Sequence, residues 1–154
     1  MAIRAGAAPQ EPDNVAQPLV HVKMGLYASP GYVAQHGLPA GPQDFARHRF
    51  IGADAPESRA PFHRWMQAAV PEANIVFRVT DAAAREAAVR AGLGLGFHTA
   101  CEAQGDAGLI EAMAPIAEWD SPLWIVTHVD LHRTVKVQSF LSHLKAAAAG
   151  WKTL

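Results

Sequence analysis

Apolar residues recur along the chain in two periods, one near two and one near three and a half, and the two alternate. Residues 19–28, LVHVKMGLYA, switch between apolar and polar closely enough to predict a strand. Before it, residues 2–6, AIRAG, make a short apolar start, and AAPQEPDN reads as a proline-bearing polar loop. SPGYVAQHG predicts a short helix that begins after Pro30 and is stopped by Gly37. GPQDFARH carries Pro42 at a first-turn position, and RFIGA reads as a short strand. In PFHRWMQAAV, Phe62, Trp65, Met66 and Ala69 fall at spacings of three and four, which predicts a helix. Residues 74–79, NIVFRV, are β-branched and aromatic, and predict a strand.

The run VRAGLGLGFHTA, with Gly92, Gly94 and Gly96, has the look of a phosphate loop. Its context says otherwise. Asp81 is a good N-cap, and AAAREAAVRA after it is rich in the strongest helix former. Gly92 falls where a helix ends on a left-handed residue, and LGLGF re-enters a sheet. A phosphate loop needs the reverse order, because the amides that hold the anion belong to a helix start. These glycines follow a helix and meet its carbonyl end, which repels anions. Their role is a tight turn and close packing of the next strand. The end of this unit that favours anions is VFRVTDAAAR, where Thr80 and Asp81 sit between a strand's carboxyl end and a helix start. Open α/β sheets bind ligands at such points, while Asp81 also reads simply as the helix cap.

The tail continues the alternation. SPLWIVTHV is an apolar strand of the buried type. RTVKVQSFLSHLKAAAAG sets Val137, Phe140, Leu141, Leu144 and Ala148 on one stripe, an amphipathic helix covering a core. The 154 residues suit about one domain, and a content of 50% hydrophobic and 18% charged residues is that of a globular protein. A net charge of −1 leaves no electrostatic footprint for nucleic acid. No apolar run reaches membrane-spanning length, and residues 1–14 hold no apolar segment of signal-peptide length. A single cysteine, Cys101, allows no internal disulfide, and the expected compartment is the cytoplasm.

Catalytic readings find little support. His128 and His132 are four apart, but THVDLH straddles a strand end and a turn, without the interleaved Glu of a metalloprotease. Cys101 has no histidine partner by position and reads as an inert small residue. Ser29, in ASPG, lacks a nucleophile elbow. No catalytic residue, metal site or cofactor is assigned.

Three segments, in order and spacing, resemble the effector-binding domain of LysR-type transcriptional regulators: LYASPGYVAQHGLPAGPQDFARHRFIG, VTDAAAREAAVRAGLGLGF and SPLWIVTHVDLHRTVKVQSFLSHL. AIRAG resembles a further strand of the same domain, so the resemblance covers nearly the whole chain. One departure is GFHTA, where Phe97 and His98 stand in place of an apolar-Leu-Pro ending. The resemblance implies an α/β fold of the type 2 periplasmic-binding-protein kind, two subdomains joined by two crossover strands with the effector between them. Residues 29–122 would form a nearly complete subdomain II, and residues 1–28 and 123–154 the crossovers and a remnant of subdomain I. LVHVKMGLYASP would be the outgoing crossover and SPLWIVTHV the returning one. The winged helix-turn-helix and the first half of subdomain I would lie before Met1.

On this resemblance the chain is expected to sense a small-molecule effector, with DNA contacted only through a domain it lacks, as part of a homo-oligomer. Effector contacts are expected from Arg4 on the crossover side, Ser29 at the start of subdomain II, and Thr80 with Asp81 at the strand–helix junction. The alternative is a stand-alone small-solute-binding domain of the same fold. Either reading gives one expected outcome: in a gel shift at about micromolar protein, the 154-residue chain shows no sequence-dependent retention of DNA. Sequence-dependent retention at submicromolar protein would refute both.

Overall fold

Lys23 divides what the alternation suggests is one strand. In the computed structural model, which describes residues 1–54, 58 and 60–151, β2 (Asn14–Val22) and β3 (Met24–Ala28) belong to different sheets. The Lys23 carbonyl between them accepts a hydrogen bond from the Ala100 amide at 2.8 Å. β2 also begins five residues earlier than expected, at Asn14, and runs through Pro18 with a shift of register between Pro18 and Val20. Proline lacks the ladder's N–H, and the strand tolerates it because β2 is an edge.

The first sheet has the order β1-β8-β2, with β1 at Ala2–Ala5 and β8 at Ser121–His128. All its pairings are antiparallel, and Ile125 sits opposite both Ile3 and Gln17. The second gathers β6 (Gly96–Thr99), β3 and β7 (Ile110–Met113), also antiparallel. β4 (Phe50–Gly52) and β5 (Ile75–Arg78) pair in parallel, and β4 joins this group through Leu95. There Ile51 N–H donates to the Leu95 carbonyl and Leu95 N–H to the Arg49 carbonyl, each at 2.8 Å. The strands thus line up as β5-β4-β6-β3-β7.

The helices begin and end where the caps indicate. Ser29 caps α1 (Pro30–His36), which stops at Gly37 with φ of 70°. Asp81 caps α3 (Ala82–Arg90), and Gly92 follows with φ of 82°. The helix α2 spans Pro61–Ala69, whereas Pro42–Arg47 tightens into a 3-10 turn in place of the expected helical start. The elements not foreseen include β7 and the single turn α4 (Ala100–Ala103), capped by Thr99. Both are four residues long, too short for either period to register. The expected tail helix is α6 (Val135–Ala148), and a single turn α5 (Val129–His132) precedes it.

The core lies on both faces of the second sheet. Met24, Leu26 and Ala28 point to one side with Phe50, Leu95 and Trp119, while Tyr27 joins Ile51, Val89 and Leu109 on the other. The first side is largely aromatic. Trp119 contacts Trp65 and Phe97 edge-on, with ring centroids 4.9 and 5.0 Å apart, and Phe62 meets Phe97 at 5.3 Å. The glycine run is explained by close approach. A Cβ on Gly94 would lie 2.5 Å from the Arg49 carbonyl oxygen, and one on Gly96 would lie 2.6 Å from Val89 Cγ2.

The last helix folds back on β2, burying Leu141 and Ala148 and half-burying Val137 and Leu144. Phe140, expected on the same stripe, is 48% exposed because it lies one position off the buried line, and Val135 is 85% exposed. β1 is exposed along its whole length and pairs only with β8. Covering a large apolar side chain is worth about 1.5–3 kcal/mol, so this surface favours association. Light scattering is expected to show a mass that rises with concentration. The double substitution Val135→Lys with Phe140→Lys should return it toward the monomer; a concentration-independent monomer for the parent would show that the surface needs no cover.

His63, buried on α2, supplies a pH dependence. Burial, aided by the nearby Arg85 charge, presses its pKa down to about 4 from the ordinary 6.5. Between those values the unfolded chain takes up a proton that the folded one refuses, so stability falls as pH drops from 6.5 towards 4. The loss is about 2 kcal/mol once partial solvent screening is allowed for. Urea unfolding at pH 7 and pH 4.5 should show it, and His63→Gln should show a smaller drop between the same two pH values.

Candidate functional site

The break at Lys23 and the start of β8 bring the two sheets together, and a cleft of about 470 Å³ opens beside that junction. The first sheet contributes Ala5, Val22, Ser121 and Leu123, and Met24 lines the cleft from just past the break. Opposite stand Phe62 of α2 and the first turns of α3, from Ala82 to Glu86. The floor is the carboxyl end of β6, where Phe97, His98 and Thr99 line the cleft with Glu102 of α4. Successive strand residues face opposite sides, but at a strand's end both sides reach the opening. This is how Phe97, packed in the aromatic cluster, and His98, packed beside Tyr27, come to border one cavity.

The polar groups here are few. His98 is buried, and its Nε2 has no hydrogen-bond partner. Burial lowers its pKa, so the ring is neutral at pH 7. Thr99 Oγ1 donates to Glu102 Oε2 at 2.6 Å and accepts from the Glu102 amide at 3.3 Å, a cap that also fixes the carboxylate. Arg85 Nη1 donates to the carbonyls of Val79 and Thr80, at 3.2 and 2.7 Å, and burial lowers its pKa without discharging it. Glu86 is held by Arg90 at 2.7 Å, and Arg90 also reaches Asp106 at 2.7 Å.

Of the site residues singled out from the sequence, none lines this cleft; Thr80 and Asp81 come just before its wall residues Ala82 and Ala83 in the chain. Thr80 Oγ1 donates to the Asp54 carbonyl at 3.1 Å, and Asp81 Oδ1 accepts from the Ala84 amide at 2.8 Å. Ser29 is elsewhere: its Oγ accepts from the Tyr32 amide at 3.2 Å, and it borders a separate hollow of about 370 Å³ with Gln35 and Arg90. Arg4 projects from β1 into an exposed ion pair with Glu11 at 2.7 Å, although its strand neighbour Ala5 lines the cleft. The sequence reading did not pick out Arg85, His98, Thr99 or Glu102. The departure at GFHTA touches His98 and Thr99 but not Arg85 or Glu102.

The other candidates have ordinary partners. His128 Nδ1 accepts from the Asp130 amide at 3.3 Å, and His132 Nδ1 pairs with Thr127 Oγ1 at 2.8 Å, so the two rings serve different contacts. Cys101 is half-buried with Sγ 3.3 Å from Thr99 Oγ1. Among the described residues, no three His, Cys, Asp or Glu side chains are grouped to hold a metal ion, and no helix is long and apolar enough to cross a membrane.

Comparison with known proteins adds to this geometry. A probable HTH-type transcriptional regulator, LtrA of Klebsiella pneumoniae, is 26% identical over 152 residues, which is 94% of this chain and 49% of the relative. The chain therefore spans about half the length of that curated relative. The regulatory domain of CrgA, a LysR-type transcriptional regulator from Neisseria meningitidis, superposes with a TM-score of 0.69 at 22% identity, over 95% of this chain and 74% of that one. The effector domain of AmpR from Pseudomonas aeruginosa gives 0.70 at 20% identity, over 97% and 72%. Both likenesses establish the fold, an α/β arrangement shared with LysR regulatory domains. Residues 1–149 match the family described as LysR substrate binding domain, and the chain belongs to that family.

Proposed function

We propose that this chain is the effector-sensing part of a LysR-type DNA-binding transcriptional regulator. The observation that carries the reading is the cleft at the junction of the two sheets, bordered on one side by the crossovers and on the other by α2, α3 and the end of β6. In this reading residues 29–122 act as one body, subdomain II. Residues 1–28 and 123–154 supply the crossovers and part of a second body. The cleft lies between them. A small molecule held there shifts the balance between two relative arrangements, and does so only by binding one more tightly. DNA contact and homo-oligomer formation belong to the whole cytoplasmic regulator. The family match favours this over a stand-alone solute-binding protein of the same fold.

Direct contact is assigned to Phe97, His98, Thr99 and Glu102. The Thr80–Asp81 junction forms the rim, with Thr80 as a donor once its bond to Asp54 is exchanged. Arg4 reaches the ligand only by leaving Glu11, and Ser29 acts through the start of α1, which it caps.

A fragment screen by amide nuclear magnetic resonance tests the placement. Ligands are expected to shift the Phe97, Thr99 and Glu102 amides, and Ala83→Trp, which fills the cleft from its α3 wall, should weaken binding at least about tenfold. Thr80→Ala should weaken it several-fold, in line with about 1 kcal/mol for one hydrogen bond, and Arg4→Ala less. Binding that Ala83→Trp leaves untouched would put the ligand elsewhere.

A further inference from the structure

The polar groups of the cleft have a sign. Its own lining carries two carboxylates, Glu86 and Glu102, and one cation, Arg85. Arg90 is engaged by Glu86 and Asp106, and one nitrogen of Arg85 is held by two carbonyls. The start of α3, which would otherwise draw an anion, is occupied by the Asp81 carboxylate. Among the described residues Glu102 meets no cation; its recorded side-chain partner is the Thr99 hydroxyl. Beside it the buried His98 ring has an unpartnered Nε2, and Phe62 and Phe97 wall the same cavity.

Resting on the reading of the cleft as the effector site, we propose that it takes a small amine with an apolar or aromatic body, and discriminates against carboxylates. The ammonium group lies against Glu102, where a charge-assisted hydrogen bond forms, with the aromatic faces beside it. The apolar body replaces water along Phe62, Phe97 and Met24. A carboxylate of the same shape would instead face Glu102 across a site already short of positive charge, and that repulsion provides the selectivity.

Three probes with one body and different heads separate the possibilities: 2-phenylethylamine, 2-phenylethanol and 3-phenylpropionate, titrated into the 154-residue chain and followed by amide shifts. The amine is expected to shift Phe97, Thr99 and Glu102 and to bind at least about tenfold more tightly than the carboxylate. Glu102→Gln, which keeps the cap geometry, should remove most of that preference, and Ala83→Trp should abolish binding. If 3-phenylpropionate binds as tightly in the cleft, with the same shifts and the same loss in Ala83→Trp, the amine assignment fails and the cleft assignment stands. If Glu102→Gln keeps the full preference, the ammonium subsite fails. If the shifts lie elsewhere, or none of the three probes binds by about 10 mM, both assignments fail.

Discussion

The burial of β3 on both faces is the constraint on which the rest of the molecule depends. All five of its residues are buried, with one face against the aromatic cluster and the other against α3 and Leu109. A strand so placed cannot slip by one residue without exchanging its two sets of side chains, so its register with β6 and β7 is strongly specified. That register sets Leu26 opposite Phe97 and Gly25 opposite His98. Through it the end of β6, and with it the floor of the cleft, is held in place. The first sheet has no such strand at its edges: β2 is half-buried and β1 is exposed.

The junction between the two sheets is narrow. One connection is the single residue Lys23, tied by its carbonyl to Ala100. The other is the start of β8, where Ser121 is buried and Leu123 lines the cavity. In the proposed reading, a ligand held between walls that belong to different sheets biases how those walls are related, and it does so through differential affinity. Ser29, Cys101, His128 and His132 each serve local structural contacts.

The proposed preference of the cleft rests on its electrostatics. The helix start at α3 is a general attractor of anions, but Asp81 already satisfies it. The departure at GFHTA puts Phe97 and His98 where the resembling family has an apolar-Leu-Pro ending, and both line the cleft. The family fold thus carries a cleft whose local lining belongs to this sequence.

Much of the fold was legible in the sequence because helix ends are local chemistry. Ser29 and Asp81 accept amide hydrogens three residues ahead, and Gly37 and Gly92 adopt the positive φ that ends a helix, so each can be read within a few positions. Even the glycine run was readable, since its order relative to the helix excludes an anion loop. Tertiary structure alone decided how strands pair. Residues 19–28 alternate as one strand, yet their partners lie near residues 96–99, 110–113 and 121–128, and those partners divide them at Lys23. It also decided which residues line the cleft: His98, Thr99 and Glu102 do, while Ser29 borders a separate hollow and Arg4 pairs with Glu11. Periodicity records which face of an element is buried. Which element buries it depends on contacts separated by up to about a hundred residues along the chain, and no local pattern encodes them.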